Sequence, residues 1–431
     1  MSYADFIARK QGRVEKPGRD VTAADIHPML HDWQNELVRW AVGTSRAALW
    51  ADTGMGKTVM QLEWARLSGD TPLVIAPLAV CEQTVREAAK LGITAKYIRE
   101  WDDVETIGPV QIHVTNYERV QGLPAAAFDA VVLDESSILK QSTGATRTML
   151  IDWCRDVPHR LACSATPAPN DPEELTNQAE WLGRMSRTHM LAAYFIHDQD
   201  GWRLKGHARR PMMQWMAQWA VALTRPSDVG GDDTGYILPG LDVVPEIVEA
   251  EVEAEGQLFA TDIGGVTGRA EMRRKTLAAR VDRAAKLVAN NPGPWILWCG
   301  LNSEADALAR AIPGAVNVHG SMDPDDKARL LLGFADGDFD VLITKPSIAS
   351  QGLNYQHCHR MAFVGLGDSY EQYYQAIRRC YRYGQTEVVE AHVIVSDLES
   401  QIAANVARKE SQANQITSEL VAEMRRVRGA A

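Results

Sequence analysis

The stretch 46–67 constrains the fold of this chain more than any other. Residues 46-RAALW-50 form a short apolar run typical of a buried strand, and 57-KTVMQLEWARL-67 carries apolar residues at helical spacing. The loop between them contains Thr53, Gly54, Met55 and Gly56. Glycine lets such a loop turn tightly and point successive N–H groups inward. A strand that leads through this loop into a helix predicts a parallel α/β sheet with an anion site at the helix amino terminus.

The residues that end the loop supply the chemistry of a nucleotide site. Lys57 offers a positive charge to the β- and γ-phosphates, and Thr58 offers a hydroxyl to Mg²⁺. Ala51 stands where the common pattern G-x-x-x-x-G-K-[ST] has its first glycine. A glycine-rich turn that binds nothing is the alternative, but the flanking strand and helix favour phosphate binding.

A second apolar strand ends in two carboxylates. The run 130–133 reads as a buried parallel strand, and Asp134 and Glu135 follow it directly. Asp134 can hold Mg²⁺, and Glu135 can orient and deprotonate a water molecule. An Asp-Glu pair after a strand is often only a helix cap, but together with the upstream loop it predicts hydrolysis of ATP with Mg²⁺.

Composition is that of a large enzyme. At 431 residues, of which 45% are hydrophobic and 23% charged, the chain is too long for one core and predicts two or three domains. The net charge of −11 argues against a protein that coats nucleic acid but leaves room for a local basic groove. Six cysteines without C-x-x-C spacing fit a reducing cytoplasm. We expect no membrane span and no signal peptide.

Strands and helices alternate along both halves of the chain, which predicts an α/β fold with two parallel sheets. Readable strands of the second half lie at 295–300, 315–320, 340–344, 361–366 and 391–395. The predicted divisions are an amino-terminal lead at 1–22, a first domain at 23–170, a helical insertion at 171–225, a linker at 226–240 and a second domain at 241–431.

Three segments admit two interpretations each. The insertion is rich in Trp and Met, including Trp181, Trp202, Trp215 and Trp219, and core packing is favoured over base stacking. The basic segment 269–286 is either a solvated helix face or a phosphate contact. The acidic run from Glu246 to Glu255 is expected to be a solvated edge.

The order of motifs resembles the helicase-like ATPases of superfamily 2, most closely the Swi/Snf-type group. The matching segments are 30-LHDWQNELVRW-40, 51-ADTGMGKT-58, 73-LVIAPLAV-80, 129-DAVVLDESSILKQ-141, 163-CSATPAPNDPEEL-175, 343-ITKPSIASQGLN-354 and 375-QAIRRCYRYGQ-385. Lys140, Asn170 and Gln385 favour that group over its relatives. The chain departs from it at Ser136-Ser137, at Ala165 and at Ser369-Tyr370-Glu371, and so resembles compact helicases encoded by bacterial viruses.

The resemblance implies a role for each motif residue and a fold of two tandem RecA-like domains with a helical insertion. Gln34 and Gly352 are assigned to the ATP site beside the loop residues. Arg379 and Arg382 are expected to stabilise the charge on the transferred phosphoryl group. Coupling is assigned to Ser164, Thr166 and Gln375. Nucleic-acid contacts are assigned to Pro77, Thr115, Asn116, Lys345 and Asn354.

These roles predict an ATP-dependent DNA translocase or helicase that couples hydrolysis at the inter-domain cleft to movement along DNA. Duplex or branched DNA is favoured over single-stranded DNA, and RNA is less expected. No segment clearly supplies the aromatic hairpin that strand separation needs, although Tyr370, Tyr373 or Tyr374 could stack on a base. The alternatives are an RNA-directed helicase and a non-catalytic, ATP-gated clamp. The cytoplasm of a bacterial or virus-infected cell is the expected location, and the sequence does not indicate whether the protein has a protein partner.

Overall fold

The computed structural model describes residues 17–106, 111–141, 143–199, 201–248, 275–349, 354–365, 369–396 and 400–429. The chain divides into two units, the first of residues 1–234 with 411–431 and the second of residues 235–410. Each unit is built on a sheet whose described strands pair in parallel. The predicted α/β class, with two tandem RecA-like domains, is confirmed.

The first unit follows the predicted alternation of strand and helix. Its elements before the insertion are α1 (Asp32–Thr44), β1 (Arg46–Ala51), α2 (Lys57–Ser68), β2 (Pro72–Ala76), α3 (Leu78–Lys90), β3 (Ala95–Tyr97), α4 (Asp102–Thr106), β4 (Ile112–Asn116), β5 (Ala130–Leu133), α5 (Ala145–Trp153) and β6 (His159–Cys163). The central strands β2 and β5 are fully buried, as their continuous apolar runs require when helices cover both faces of a sheet.

The segment predicted as a helical insertion contains both helices and strands. Its elements are α6 (Leu175–Trp181), α7 (Arg187–Tyr194), β7 (Phe195–Asp198), β8 (Gly201–Leu204), α8 (Arg209–Met216) and β9 (Ala220–Leu223). Strands β7 and β8 form an antiparallel hairpin, whereas β9 pairs in parallel with β1. The first sheet therefore has the order β3-β4-β2-β5-β6-β1-β9. The strand Ala220–Leu223 is fully buried and belongs to the first sheet rather than to the insertion.

The second unit repeats the parallel sheet. Its elements are β10 (Leu241–Val248), α9 (Leu277–Asn290), β11 (Trp295–Trp298), α10 (Asn302–Ala311), β12 (Val316–Val318), α11 (Pro324–Asp336), β13 (Val341–Thr344), α12 (Pro346–Ala349), β14 (Arg360–Phe363), α13 (Tyr370–Ile377) and β15 (Val389–Ser396). The strand order is β10-β15-β14-β11-β13-β12. Its core includes Trp295, Leu297, Ile343, Ala362 and Ile394.

Strand β10 changes the interpretation of the acidic run. Glu246 lies in β10 and pairs with Arg283 at 2.6 Å and with His392 at 2.9 Å. The expectation of a solvated edge is therefore wrong at Glu246, because the strand places its carboxylate against two basic side chains. The rest of the run, and the basic residues 269–274, lie outside the described residues.

The last helix, α14 (Ser400–Gly429), ends in the first unit. Glu419 pairs with Arg209 at 2.5 Å, and Arg425 pairs with Asp228 at 3.3 Å. Leu420 and Met424 are buried. The sequence assigned residues 411–431 to the second domain, because a terminal helix carries no signal of which sheet it packs on.

Candidate active site

The predicted phosphate loop joins β1 to α2. Gly54 has a φ of 86° and Gly56 a φ of 74°, both in the left-handed region that favours glycine. A Cβ at Gly56 would lie 2.4 Å from Gln34 Nε2, so a larger residue would also clash with its neighbour. Both glycines are therefore required by the backbone of the loop.

Two side chains of the loop bond its own backbone. Lys57 Nζ donates to the carbonyl of Ala51 at 2.9 Å, where β1 ends. Asp52 Oδ1 accepts from the amide of Thr53 at 2.6 Å. Asp52 is not among the predicted site residues, since an acidic residue in a loop gives no distinctive signal in the sequence. These bonds hold the ammonium of Lys57 at the carboxyl end of β1.

Gln34 connects α1 to the same loop. Its Nε2 donates to the carbonyl of Met55 at 3.1 Å, and its Oε1 accepts from the amide of His31 at 3.0 Å. The residue is only 4% exposed. The structure therefore places Gln34 against the phosphate loop, and its assignment to the ATP site remains a prediction.

The acidic pair lies at the carboxyl end of β5. The amide of Asp134 donates to Ile75 at 2.9 Å and extends the ladder between β5 and β2. Glu135 has a φ of 52°, an uncommon value for a residue with a side chain. Tyr117 donates its hydroxyl to the carbonyl of Asp134. This bond helps to hold the backbone at the point where the left-handed residue follows.

Burial raises the pKa of the Asp134 carboxyl, and the Lys57 ammonium and the Gln61 side chain oppose this rise. Lys57 opposes the rise in pKa because its positive charge stabilises the ionised carboxylate of Asp134. A divalent metal ion bound to Asp134 would also favour the ionised form of this carboxylate.

Ser164 links the loop after β6 to the acidic pair. Its hydroxyl donates to Glu135 Oε2 at 3.4 Å and accepts from the amide of Thr166 at 3.0 Å. Ser164 and Thr166 are both buried. Two of the three residues assigned to coupling thus form a chain of contacts that ends on the carboxylate of Glu135.

Gln178 on α6 bonds both the loop that follows β5 and the loop that follows β6, and it is not among the predicted site residues. Its Nε2 donates to the carbonyl of Ser136 at 2.9 Å and to that of Pro167 at 3.3 Å. The neighbouring Asn177 donates to the carbonyl of Leu139 at 2.8 Å. Both amides are about 1% exposed. In the sequence, the signal for these residues was a pair of adjacent amide side chains in the predicted helical insertion.

Three residues assigned to nucleic acid in the first unit have buried side chains. Thr115 donates its hydroxyl to the carbonyl of Ile98 at 2.9 Å. Asn116 Oδ1 accepts from the Tyr97 hydroxyl at 2.8 Å. Pro77 precedes α3 and is buried. The hydroxyl of Thr115 therefore bonds within the protein, and the assignments of all three remain predictions.

The second unit brings its predicted arginines together at the end of α13. Arg382 donates to Asn354 Oδ1, and the amide of Tyr355 donates to the carbonyl of Arg379 at 2.9 Å. Burial, with the Arg379 and Arg378 guanidiniums, lowers the pKa of Arg382 to about 10. The guanidinium therefore remains charged at neutral pH.

The other predicted residues of this unit lie nearby or outside the described part. Gln375 is half-buried on α13. Lys345 follows β13 and lines a cavity together with Trp298, Gly300 and Ser369. Gly352 lies outside the described residues, so its assignment is untested.

The tyrosines considered for base stacking have other environments. Tyr370 is 1% exposed and Tyr373 is 6% exposed, so both belong to the core. The ring of Tyr374 lies 5.2 Å from the guanidinium carbon of Arg378. Ser369 caps α13 by accepting from the amide of Gln372 at 3.3 Å. The segment that departs from the family pattern thus starts a helix.

The residues present fit ATP with Mg²⁺. A loop with two left-handed glycines lies at the amino terminus of α2, which favours phosphate. Lys57 and the buried Asp134 are electrostatic neighbours, and Thr58 lies in the first turn of α2. Among the described helices, none is long and apolar enough to cross a membrane.

Comparisons with known proteins give a family match for part of the second unit. Residues 280–384 match the family model described as the helicase conserved C-terminal domain. A comparison with curated proteins gave no match. Among solved structures, the chain is similar to the SWI2/SNF2 ATPase core of Sulfolobus solfataricus in complex with dsDNA. The identity is 15% and the TM-score 0.46, over 94% of this chain and 96% of that chain. The family match therefore covers residues 280–384, and it supports the predicted resemblance to the helicase-like proteins of superfamily 2.

Proposed function

We propose that the protein is an ATP-dependent DNA translocase, a motor that hydrolyses ATP and moves along DNA without reading its sequence. The observation that carries this proposal is the assembly of Lys57, Asp134, Glu135 and Ser164 at the carboxyl edge of one parallel sheet. Ligands of open α/β sheets bind at this edge. The motif order quoted above supports movement on DNA.

Each residue of the site has a distinct task in hydrolysis. The Glu135 carboxylate orients the attacking water and accepts its proton, while the Ser164 hydroxyl at 3.4 Å holds that carboxylate. The Lys57 ammonium binds the phosphates of the substrate. Thr58 and Asp134 would hold Mg²⁺, which would supply positive charge beside the phosphate oxygens. Arg379 and Arg382 are assigned to the transferred phosphoryl group, whose developing charge their guanidinium groups would stabilise.

The contact between Arg382 and Asn354 supports coupling of hydrolysis to DNA. Arg382 is assigned to ATP hydrolysis and Asn354 to the nucleic-acid backbone, and the arginine donates to the amide oxygen of the asparagine. A shift of one side chain on binding therefore alters the hydrogen bond of the other. Contacts to the backbone carry little sequence information, so sequence-independent binding is expected.

We propose intact duplex or branched DNA as the track, because Lys140, Asn170 and the run from Gln375 to Gln385 resemble the Swi/Snf-type group. The protein is expected in the reducing cytoplasm of a bacterial or virus-infected cell, where its buried cysteines stay as thiols. An RNA-directed helicase and a non-catalytic clamp are the alternatives. The presence of Lys57, Glu135 and Arg382 argues against the clamp.

A steady-state phosphate-release assay tests the proposal. We expect ATP turnover to rise most with blunt duplex or forked DNA, less with single-stranded DNA and least with RNA. The Glu135→Gln variant serves as the matched inactive control. Turnover no higher than that of Glu135→Gln, with and without DNA, would contradict a motor and favour the clamp. Stimulation by RNA alone would favour the RNA-directed helicase.

A triplex-displacement assay then separates translocation from unwinding. Displacement of a third strand from a blunt duplex reports movement without strand separation, and a labelled fork reports unwinding. We expect displacement of the third strand. Strand release from the fork without triplex displacement would assign the protein as a helicase instead.

A further inference from the structure

Two arginines lie side by side where strands of the first sheet begin. Arg46 is the first residue of β1 and pairs in register with Arg160 of β6, so both side chains stand on the same face of the sheet. The two strands are parallel, and the phosphate loop follows the other end of β1 at Ala51. The two arginines therefore lie at the amino edge of the sheet, opposite the candidate active site.

A third arginine joins this pair from the segment that follows α6. Arg184 donates through Nε to the carbonyl of Arg46 at 2.9 Å and through Nη2 to the carbonyl of Thr44 at 3.1 Å. Thr44 is the last residue of α1, so this guanidinium lies at the turn between α1 and β1. We call Arg46, Arg160 and Arg184 the edge-arginine cluster.

Gly183 leaves room for two of these guanidinium groups. The residue is exposed and has a φ of 66°, in the left-handed region that favours glycine. A Cβ at this position would lie 2.7 Å from Arg46 Nη1 and 3.7 Å from both terminal nitrogens of Arg160. The terminal nitrogens of both arginines therefore lie around one point beside an exposed stretch of backbone.

Carbonyl groups, and not carboxylates, accept hydrogen bonds from the buried member of the cluster. Arg160 is 3% exposed and donates through Nε to the carbonyl of Val157 at 3.0 Å. Its Nη2 donates to the carbonyl of Arg155 at 2.7 Å, and its Nη1 donates to the carbonyl of Trp181. Within the described part of the chain, no carboxylate forms an ion pair with Arg160 or Arg46. Carbonyl oxygens satisfy N–H groups but leave the positive charge without a counter-charge.

Arg46 keeps its terminal nitrogens for a further acceptor. Its Nε donates to the carbonyl of Pro158 at 3.0 Å, and no other described residue accepts from this side chain. Arg46 is half-buried, and its terminal nitrogens remain accessible beside the exposed Gly183. The parallel N–H groups of a guanidinium match two oxygens of one anion, and this match makes arginine a common ligand of phosphate.

The charges of the cluster repel one another. Burial, followed by the guanidiniums of Arg46 and Arg160, lowers the pKa of Arg184 to about 10. Burial and the Arg46 guanidinium also lower the pKa of Arg160 to about 10, whereas Cys154 and Asp156 act in the opposite sense. Arg160 and Arg184 therefore stay charged at neutral pH. Because buried charge without a counter-charge is unfavourable, the cluster attracts an anion.

We propose that the edge-arginine cluster binds a phosphate group, held by the terminal nitrogens of Arg46 and Arg160 beside Gly183. A phosphate group carries more than one negative charge at neutral pH, so it matches several guanidinium groups better than a single carboxylate does. This site is distinct from the phosphate loop that follows β1. The proposal does not depend on ATP hydrolysis or on movement along DNA.

Thermal melting of the full chain in a series of inorganic phosphate concentrations tests the proposal, with chloride keeping the ionic strength constant. A ligand that binds only the folded protein raises the melting temperature, and the dependence on concentration gives an apparent Kd. Lys57→Ala is the background for every variant, because the phosphate loop also suits this anion. Phosphate is expected to raise the melting temperature of Lys57→Ala.

Substitutions of Arg46 in that background then remove the second site. Arg46→Met is expected to raise the apparent Kd for phosphate by about 10- to 100-fold, the range for loss of hydrogen bonds to a charged group. Arg46→Lys keeps the charge but not the paired N–H groups, so a smaller increase is expected, and this variant keeps the test decisive if Arg46→Met does not fold. An unchanged Kd in the folded variants would overturn the proposal.

Arg329 supplies a matched control in the second unit. It pairs with Asp326 at 2.9 Å, and its side chain is 68% exposed. Arg329→Met is expected to keep the phosphate dependence of the background, and it accounts for the general stabilisation of folded proteins by phosphate. Equal phosphate dependence of Arg46→Met and Arg329→Met would overturn the proposal. A lower melting temperature of Arg46→Met in chloride, with the phosphate dependence unchanged, would assign Arg46 a structural role only.

Discussion

The two units contain the same strand-to-helix turn and use it in opposite ways. In the first unit, β1 leads through the glycine loop to α2, and the loop places Lys57 at the helix start. In the second unit, β11 leads to α10, and the carboxylate of Glu304 accepts from the amides of Gly300 at 2.8 Å and Leu301 at 2.9 Å. The second unit fills its own anion position.

The internal anion of the second unit is fixed in place. Glu304 pairs with Arg280 at 2.8 Å, and both side chains are fully buried. A carboxylate at a helix amino terminus is favoured by the helix dipole, as a phosphate is. The same fold can therefore leave the anion position at a helix amino terminus to a ligand or fill it with a side chain. The arginines that follow α13 are then the proposed chemical contribution of the second unit.

The largest expected effect tests that contribution. Arg379→Ala and Arg382→Ala are each expected to lower DNA-stimulated hydrolysis by about 10³- to 10⁵-fold, because arginine fingers stabilise charge that develops only in the transition state. Nucleotide binding should change far less. Arg378→Ala is the control, since that guanidinium lies over Tyr381 at 5.2 Å. Equal losses of nucleotide binding and of turnover would show that the two arginines have a structural role.

The next effect tests the division of tasks within the first unit. Glu135→Gln is expected to keep ATP binding and to lower turnover by about 10²- to 10⁴-fold, because it removes the general base. Lys57→Ala should instead weaken ATP binding, because the phosphates lose their cation. Titration with a fluorescent ATP analogue and single-turnover hydrolysis separate the two. Full hydrolysis by Glu135→Gln would show that the acidic pair is wrongly assigned.

A smaller effect tests whether the buried pair closes the second anion position. Arg280→Met leaves Glu304 as a buried charge, so the free energy of unfolding should fall by about 3–5 kcal/mol. Lys286→Met on the same helix is the control, because its pair with Asp282 is 62% and 61% exposed. That control should change stability by less than about 1 kcal/mol. Denaturant titrations give both values, and equal losses would refute the structural role.

The smallest effect concerns the two hydrogen bonds that Gln178 donates to the loops after β5 and β6. Gln178→Met removes the two donations to Ser136 and Pro167, so kcat is expected to fall by about 10- to 100-fold through misplacement of Glu135. KM for ATP should change little. Gln214→Met, on the exposed face of α8, is the control. A raised KM at unchanged kcat would assign Gln178 to ATP binding instead.

The sequence by itself determined the features that depend on local pattern. Apolar runs predicted the strands, and the residues of the loop from Thr53 to Thr58 predicted a phosphate site, because backbone turns and phosphate chemistry tolerate few residue types. The structure places Asp134 and Glu135 at a strand end, as predicted. The resemblance of the motifs to superfamily 2 was likewise visible in the printed chain.

Only the tertiary structure decided how distant segments meet. The burial of Thr115, the return of α14 to the first unit, the exposure of Trp202 and the filling of an anion position by Glu304 depend on which surfaces pack together. In a sequence, a carboxylate at the third residue of a helix looks the same whether water solvates it or the amides of the preceding turn bond it. Packing alone fixes its neighbours, and the neighbours decide whether a helix amino terminus is left for phosphate or closed.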